Sequence, residues 1–164
     1  MLTDKKILII ITGGIAAYKS LDLIRKLKSQ GAKVTPVMTQ SAENFVTPMS
    51  VSALAQEKVF NQLFDLTDEA EMGHIELSRS ADLIIVVPAS ADFVAKTASG
   101  QANDLASTLI LATDTSVLMA PAMNVRMWEN PLTQKNVKTL GESGINFVGP
   151  NQGQMACGEF GFGR

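Results

Sequence analysis

The sequence predicts a three-layer α/β domain built on a parallel sheet, and three observations carry that expectation. Ile7 to Ile11 is an unbroken, β-branched-rich apolar run, which suits a strand buried on both faces rather than a half-exposed one. Similar runs recur at Val34 to Met38, Leu83 to Val87, Val117 to Met119 and Ile145 to Val148, with helical stretches between most of them. That is the sequence form of repeated strand-helix-strand units. The chain has 164 residues, one compact domain at about 100–200 residues per domain.

Taken in order, the first run is followed by a helix expected over about Ile15 to Lys28. Tyr18, Leu21, Ile24 and Leu27 recur every three residues while Lys19, Asp22, Arg25 and Lys26 take other faces. Gly31 then closes it. The stretch Ser41 to Met72 is the least regular, and its apolar groups around Val51 and Leu54, and around Phe60 and Phe64, suggest helix pieces and a connecting loop. A helix is expected to start near Asn103 and Asp104, and another to open with Pro131 in its first turn and end at Gly144.

Composition excludes several classes. Hydrophobic residues make up 46% and charged residues 18%, against roughly 25% charged in ordinary soluble chains. Disorder is excluded by that balance, and a short chain so poor in charge is expected to turn part of its apolar area toward other subunits. Net charge is -2 with scattered basic residues apart from Arg25, Lys26 and Lys28, so no footprint for nucleic acid is present. One cysteine and one histidine supply neither an intrachain disulfide nor a zinc site of the usual ligand sets, and a reducing, cytoplasmic compartment is expected. Lys5 and Lys6 precede an apolar run, but it is too short for a signal-peptide core and ends in Gly13 and Gly14. No membrane segment is expected.

In parallel α/β sheets ligands bind beyond the carboxyl ends of the strands, so the residues that follow each apolar run are the candidates. After the first comes Thr12-Gly13-Gly14-Ile15-Ala16-Ala17. Small residues entering a helix let backbone N–H groups approach a phosphate at the positive end of the helix dipole, though the same residues also make a plain tight turn. The segment lacks the glycine before Lys19 of a Walker A loop and the third glycine of the dinucleotide fingerprint. Thr39, Gln40 and Ser41 follow the second run and Pro88-Ala89-Ser90-Ala91-Asp92 the third, each offering hydroxyls and backbone donors that could equally cap a helix. Pro121-Ala122-Met123-Asn124 follows the fourth, with Asn124 either a donor-acceptor pair for a ligand or a cap. His74 is expected at the start of a short helix and is the side-chain type that titrates near neutrality, although a lone histidine is commonly structural. Cys157 lies in a glycine-rich tail, 151–164, suited to a mobile flap rather than to core packing.

Together, Gly13-Gly14-Ile15-Ala16-Ala17-Tyr18-Lys19, Gly73-His74-Ile75-Glu76-Leu77, Pro88-Ala89-Ser90-Ala91-Asp92, Ala102-Asn103-Asp104-Leu105, Pro121-Ala122-Met123-Asn124 and Ala156-Cys157-Gly158 resemble the phosphopantothenoylcysteine decarboxylase family of flavin-containing cysteine decarboxylases. The resemblance runs through nearly the whole chain in six ordered motifs. It implies a flavodoxin-like or Rossmann-like sandwich over 1–164, with FMN held against Gly13, Gly14, Ile15, Thr39, Ser41, Ser90, Ala91, Asp92 and Ala122. It also implies homo-oligomers, trimers assembling further into a dodecamer. The tail resembles that of the amino-terminal half of bacterial bifunctional members, whose second half is a phosphopantothenate-cysteine ligase. Because the chain ends at Arg164, directly at the flap, a cut there is the expectation.

The implied reaction converts 4'-phosphopantothenoylcysteine to 4'-phosphopantetheine and CO2 in coenzyme A biosynthesis. A cysteinyl carboxylate has no place for the electrons left by CO2, so an electron sink must be made first. In the family scheme the carbon bearing the thiol loses a hydride to FMN, giving a thioaldehyde. CO2 then leaves, and the resulting ene-thiol regains the hydride together with a proton. By the same resemblance His74 is the base or orienting group, and Asn124 grips the substrate carboxylate. An amide suits that task better than a fixed cation, which would stabilise the ground-state carboxylate against loss as CO2. Cys157 is the acid for the last step, since a thiol in an ordinary setting is mostly protonated at neutral pH, and Met155 and Ala156 meet the substrate beside it. Two alternatives share the flavin loops. An oxidative peptidyl-cysteine decarboxylase would release the ene-thiol, and a non-catalytic flavin-binding subunit would lack the histidine or the cysteine, both of which are present.

Overall fold

The computed structural model describes residues 1–63 and 70–164, apart from the side chains of 70–72 and 74. Seven strands and seven helices appear among the described residues. In chain order they are β1 (Lys6–Ile11), α1 (Tyr18–Ser29), β2 (Lys33–Met38), α2 (Pro48–Ala55), α3 (Ala70–Arg79), β3 (Leu83–Ala89), α4 (Ala91–Ala98), α5 (Leu105–Ala112), β4 (Val117–Pro121), α6 (Val125–Glu129), α7 (Pro131–Glu142), β5 (Asn146–Phe147), β6 (Gln152–Gln154) and β7 (Phe160–Phe162).

The first five strands form one sheet in the order β2-β1-β3-β4-β5, all parallel. This is the flavodoxin-like order, in which the chain winds outward on one side of β1 and then crosses to the other. β1 shows why its run is unbroken. Successive side chains point to opposite faces, so Leu8 and Ile10 enter one core with Ile84, Val86, Phe93 and Leu109. Ile7, Ile9 and Ile11 enter the other with Ile24, Val34, Met38 and Val51. The expected three layers and the five strands are present, with β3 and β4 each reaching two residues further than their apolar cores, to Ala89 and Pro121.

Local signals set most helix ends. Gly31 follows α1 at φ +91 and Gly144 follows α7 at φ +96, conformations that favour glycine. Asp104 caps α5, its carboxylate accepting from the Ser107 backbone N–H at 2.7 Å while Ser107 Oγ accepts from the Asp104 N–H.

Three expectations are corrected. Ile15–Ala17 forms a 3-10 turn before α1 begins at Tyr18, and Tyr18, placed on the apolar face by its spacing, is exposed. Phe60 is not helical: its N–H donates to Pro36 O and its carbonyl accepts from Met38 N–H, a lone parallel bridge on the β2 edge. Phe64, expected in the same helix piece, lies outside the described residues. His74 sits in the middle of α3 rather than at its start, because the helix opens at Ala70. The glycine-rich tail, 151–164, expected to form a flap, folds as a two-stranded antiparallel hairpin of β6 and β7.

Candidate functional site

The strand order reverses between β1 and β3, and the loops that leave their carboxyl ends are joined there by a buried threonine. Thr12 Oγ1 donates to the Pro88 carbonyl and accepts from the Ser90 N–H at 2.9 Å. The adjoining Ser20 Oγ donates to the Val87 carbonyl at 2.7 Å. These bonds hold the first and third loops together and leave a cavity of about 770 Å³ against them, within the range of about 300–1,000 Å³ usual for small-molecule sites.

The cavity gathers Gly13, Thr39, Ser41, Ser90, Ala91 and Asp92, six of the residues expected to hold a cofactor. A Cβ on Gly13 would stand 2.6 Å from Ser41 Cβ, so only glycine lets the first and second loops close on each other. Thr39 and Ser90 cap short helices, their hydroxyls accepting from the Ala42 and Phe93 N–H groups. The bland role of a cap and a place at the cavity therefore belong to the same residues. Ala91 and Asp92 open α4, where first-turn N–H groups have no intrahelical acceptor. Three expected residues stand outside the lining. Gly14 faces open space, Ile15 is exposed, and Ala122 donates its N–H to the Ala89 carbonyl.

The cavity also contains residues not singled out from sequence. Thr12 is one, noted in the sequence only as the residue that opens the segment after the first apolar run. Lys96 is another, with its Nζ 3.4 Å from Asp92 and 4.0 Å from Asp104. Its spacing of four from Asp92 was the available signal. A second cavity, of about 550 Å³, opens at the opposite sheet edge near Thr115 and Ser116 before β4, away from the strand ends where such sheets bind ligands.

Met127 of α6 borders the first cavity, and the residue capping α6 is Asn124. Its Oδ1 accepts from the Arg126 N–H at 2.8 Å and the Met127 N–H at 3.4 Å. That fixes the amide plane and turns Nδ2 toward the tail. There Nδ2 meets Cys157 Sγ at 3.6 Å and donates to a Glu159 carboxylate oxygen. The same carboxylate oxygen lies 3.7 Å from Cys157 Sγ, and the other is 3.5 Å from Arg126 Nε. Cys157 is a free, exposed thiol, so the inert buried reading does not hold.

The hairpin is seated by its backbone. Met123 N–H donates to the Gly163 carbonyl at 2.8 Å, and Asn151 and Arg164 exchange two backbone bonds. A Cβ on Gly161 would stand 2.9 Å from Val125 Cγ2 and one on Gly163 2.3 Å from the Met123 carbonyl. The glycines thus permit close approach to α6 and to the loop that precedes it. Met155 and Ala156 precede Cys157 at the hairpin tip, where Met155 N–H donates to the Glu159 carbonyl at 2.6 Å. Asn124 and Cys157 are brought together, whereas the side chain of His74 lies outside the described residues.

A protein-family model described as Flavoprotein matches residues 1–164. The chain belongs to the Flavoprotein family. Among its relatives, a coenzyme A biosynthesis bifunctional protein CoaBC of Vibrio vulnificus is 50% identical over 163 residues, covering 99% of this chain and 41% of that protein. The chain thus spans less than half the length of that relative. Among solved flavoprotein structures, a PPC decarboxylase cysteine-to-serine mutant complexed with pantothenoylaminoethenethiol superposes with a TM-score of 0.83 at 30% identity, covering 98% of this chain and 90% of that one. The FMN-dependent cysteine decarboxylase SpaF gives 0.85 at 26% identity, covering 100% and 92%.

Proposed function

We propose that this flavoprotein carries out the FMN-dependent, redox-neutral decarboxylation of 4'-phosphopantothenoylcysteine to 4'-phosphopantetheine and CO2, a step of coenzyme A biosynthesis. The observation that carries the reading is the meeting of the Asn124 amide and the Cys157 thiol, 3.6 Å apart, at the end of a helix that borders the switch-point cavity. The likeness to CoaBC proteins and to a PPC decarboxylase structure supports it.

The residues fit a flavin mononucleotide. Gly13 allows two loops to close over the cavity edge, Thr39, Ser41 and Ser90 line it, and the N–H groups of Ala91 and Asp92 at the start of α4 suit a phosphate. When bound, FMN supplies the reversible hydride acceptor that makes loss of CO2 possible. The chain's own groups do the rest. Asn124 presents Nδ2 to the substrate carboxylate as a neutral donor, which holds it without opposing its departure as CO2. Cys157 protonates the ene-thiol carbon as the hydride returns. His74, carried on α3, is assigned the base or orienting role by its motif. Met155 and Ala156 cover the substrate from the hairpin tip.

A trimer-based assembly is part of the proposal, supported by Ile15, Tyr18, Met49, Leu111, Leu132 and Phe160, large apolar side chains left exposed. The ligase segment expected from the sequence accords with the greater length of the bifunctional relatives. No helix among the described residues is long and apolar enough to cross a membrane.

The deciding experiment is the mass of the product after incubating FMN-loaded protein with 4'-phosphopantothenoylcysteine. Loss of CO2 alone is expected. Loss of CO2 together with two hydrogens would make the chain an oxidative decarboxylase, and unchanged substrate would make it a binding subunit.

A further inference from the structure

The amide that the proposed function assigns to the substrate carboxylate already holds a carboxylate of this chain. Asn124 has one free donor group once Oδ1 is committed to the Arg126 and Met127 N–H groups, and that donor points at Glu159. We propose that Glu159 is a positioning and specificity residue: an internal counterpart of the substrate carboxylate, which must exchange with it on Asn124 before reaction. The inference rests on the proposed function and deepens it.

Three features of the local geometry support an exchange rather than a permanent tie. The contact is charge-assisted, hence strong enough to hold the hairpin tip over Asn124. Glu159 is about two-fifths exposed as a side chain and faces Arg126 Nε at 3.5 Å with its second oxygen, so a displaced carboxylate has a cation beside it and a path to water. Cys157 stands two residues earlier on the same tip, 3.7 Å from the same oxygen. Exchange therefore leaves the thiol facing the ligand that has taken the amide. A ligand with a carboxylate at the right reach gains the Asn124 donor, and one without it leaves Glu159 in place.

The test compares two ligands in FMN-loaded wild-type protein and in the Glu159→Gln variant. One is 4'-phosphopantothenoylserine, which keeps the carboxylate but lacks the thiol needed for oxidation. The other is 4'-phosphopantothenoylethanolamine, which lacks both. Removing the competing charge should tighten the serine ligand about tenfold, while the ethanolamine ligand moves less than about twofold. Equal weakening of both ligands would show that Glu159 only pins the hairpin, and unchanged affinity for both would make it a bystander; either overturns the proposal. Binding of neither ligand by either protein would overturn the substrate reading itself, and this inference with it.

Discussion

Asn124 serves as a helix cap and also reaches the tail, because its two ends do different things. The oxygen satisfies the first N–H groups of α6, and this anchoring sets where the nitrogen points. Being a cap therefore does not exclude the proposed ligand role, since the cap uses Oδ1 and leaves Nδ2 to other partners. Cys157 is the residue whose role is most separable from binding. Cys157→Ser keeps a small polar group beside Asn124 but loses the acidic thiol, so protonation of the ene-thiol should fall by about a hundredfold or more. CO2 release should continue, and the product should be two hydrogens lighter than phosphopantetheine. Mass spectrometry of the product reads this directly, and ordinary phosphopantetheine at the wild-type rate would remove Cys157 from the mechanism.

At the scale of elements, the hairpin of β6 and β7 is what brings Cys157 to Asn124. Glycine content alone reads as mobility, since glycine loses the most conformational freedom on ordering. Here the glycines instead let the hairpin backbone lie close against Met123 and Val125. Gly163 is at φ +140 with no room for a Cβ, so Gly163→Ala should lift the hairpin from Met123 and move Cys157 away from Asn124. Turnover should fall by about a hundredfold, the cost typical of a misplacement near 1 Å. FMN affinity, measured by flavin fluorescence, should stay within about twofold, because the six expected cofactor residues at the cavity stand after β1, β2 and β3. Equal loss of flavin binding would mean that the hairpin supports the whole fold rather than the substrate side.

For the whole molecule, stability resides in the two cores that sandwich the sheet, remote in kind from the site at its edge. Ile9 is fully buried in the core formed with Ile24, Val34 and Val51. Ile9→Ala should cost about 2–5 kcal/mol, lowering the melting temperature by roughly 5–15 °C. Thermal unfolding of the FMN-free protein checks the size of the drop without the added stabilisation of a bound ligand. A change under about 2 °C would mean that the core refills the space, an outcome at odds with the close packing of buried β1.

The sequence by itself determined the layered α/β class, the five parallel strands, the closing glycines of α1 and α7, and the family motifs. Each rests on short-range physics: residues buried on both faces of a strand must be apolar, and a chain leaving a helix through positive φ favours glycine. Only the tertiary structure decided what lay between distant segments. Thr12 is tied to Pro88 and Ser90 across 76 and 78 residues, and Glu159 to Asn124 across 35. Phe60 follows the edge of β2, and the tail folds back as a hairpin. Such pairings carry no local periodicity, because their hydrogen bonds are made to partners chosen by the packing of the whole sheet.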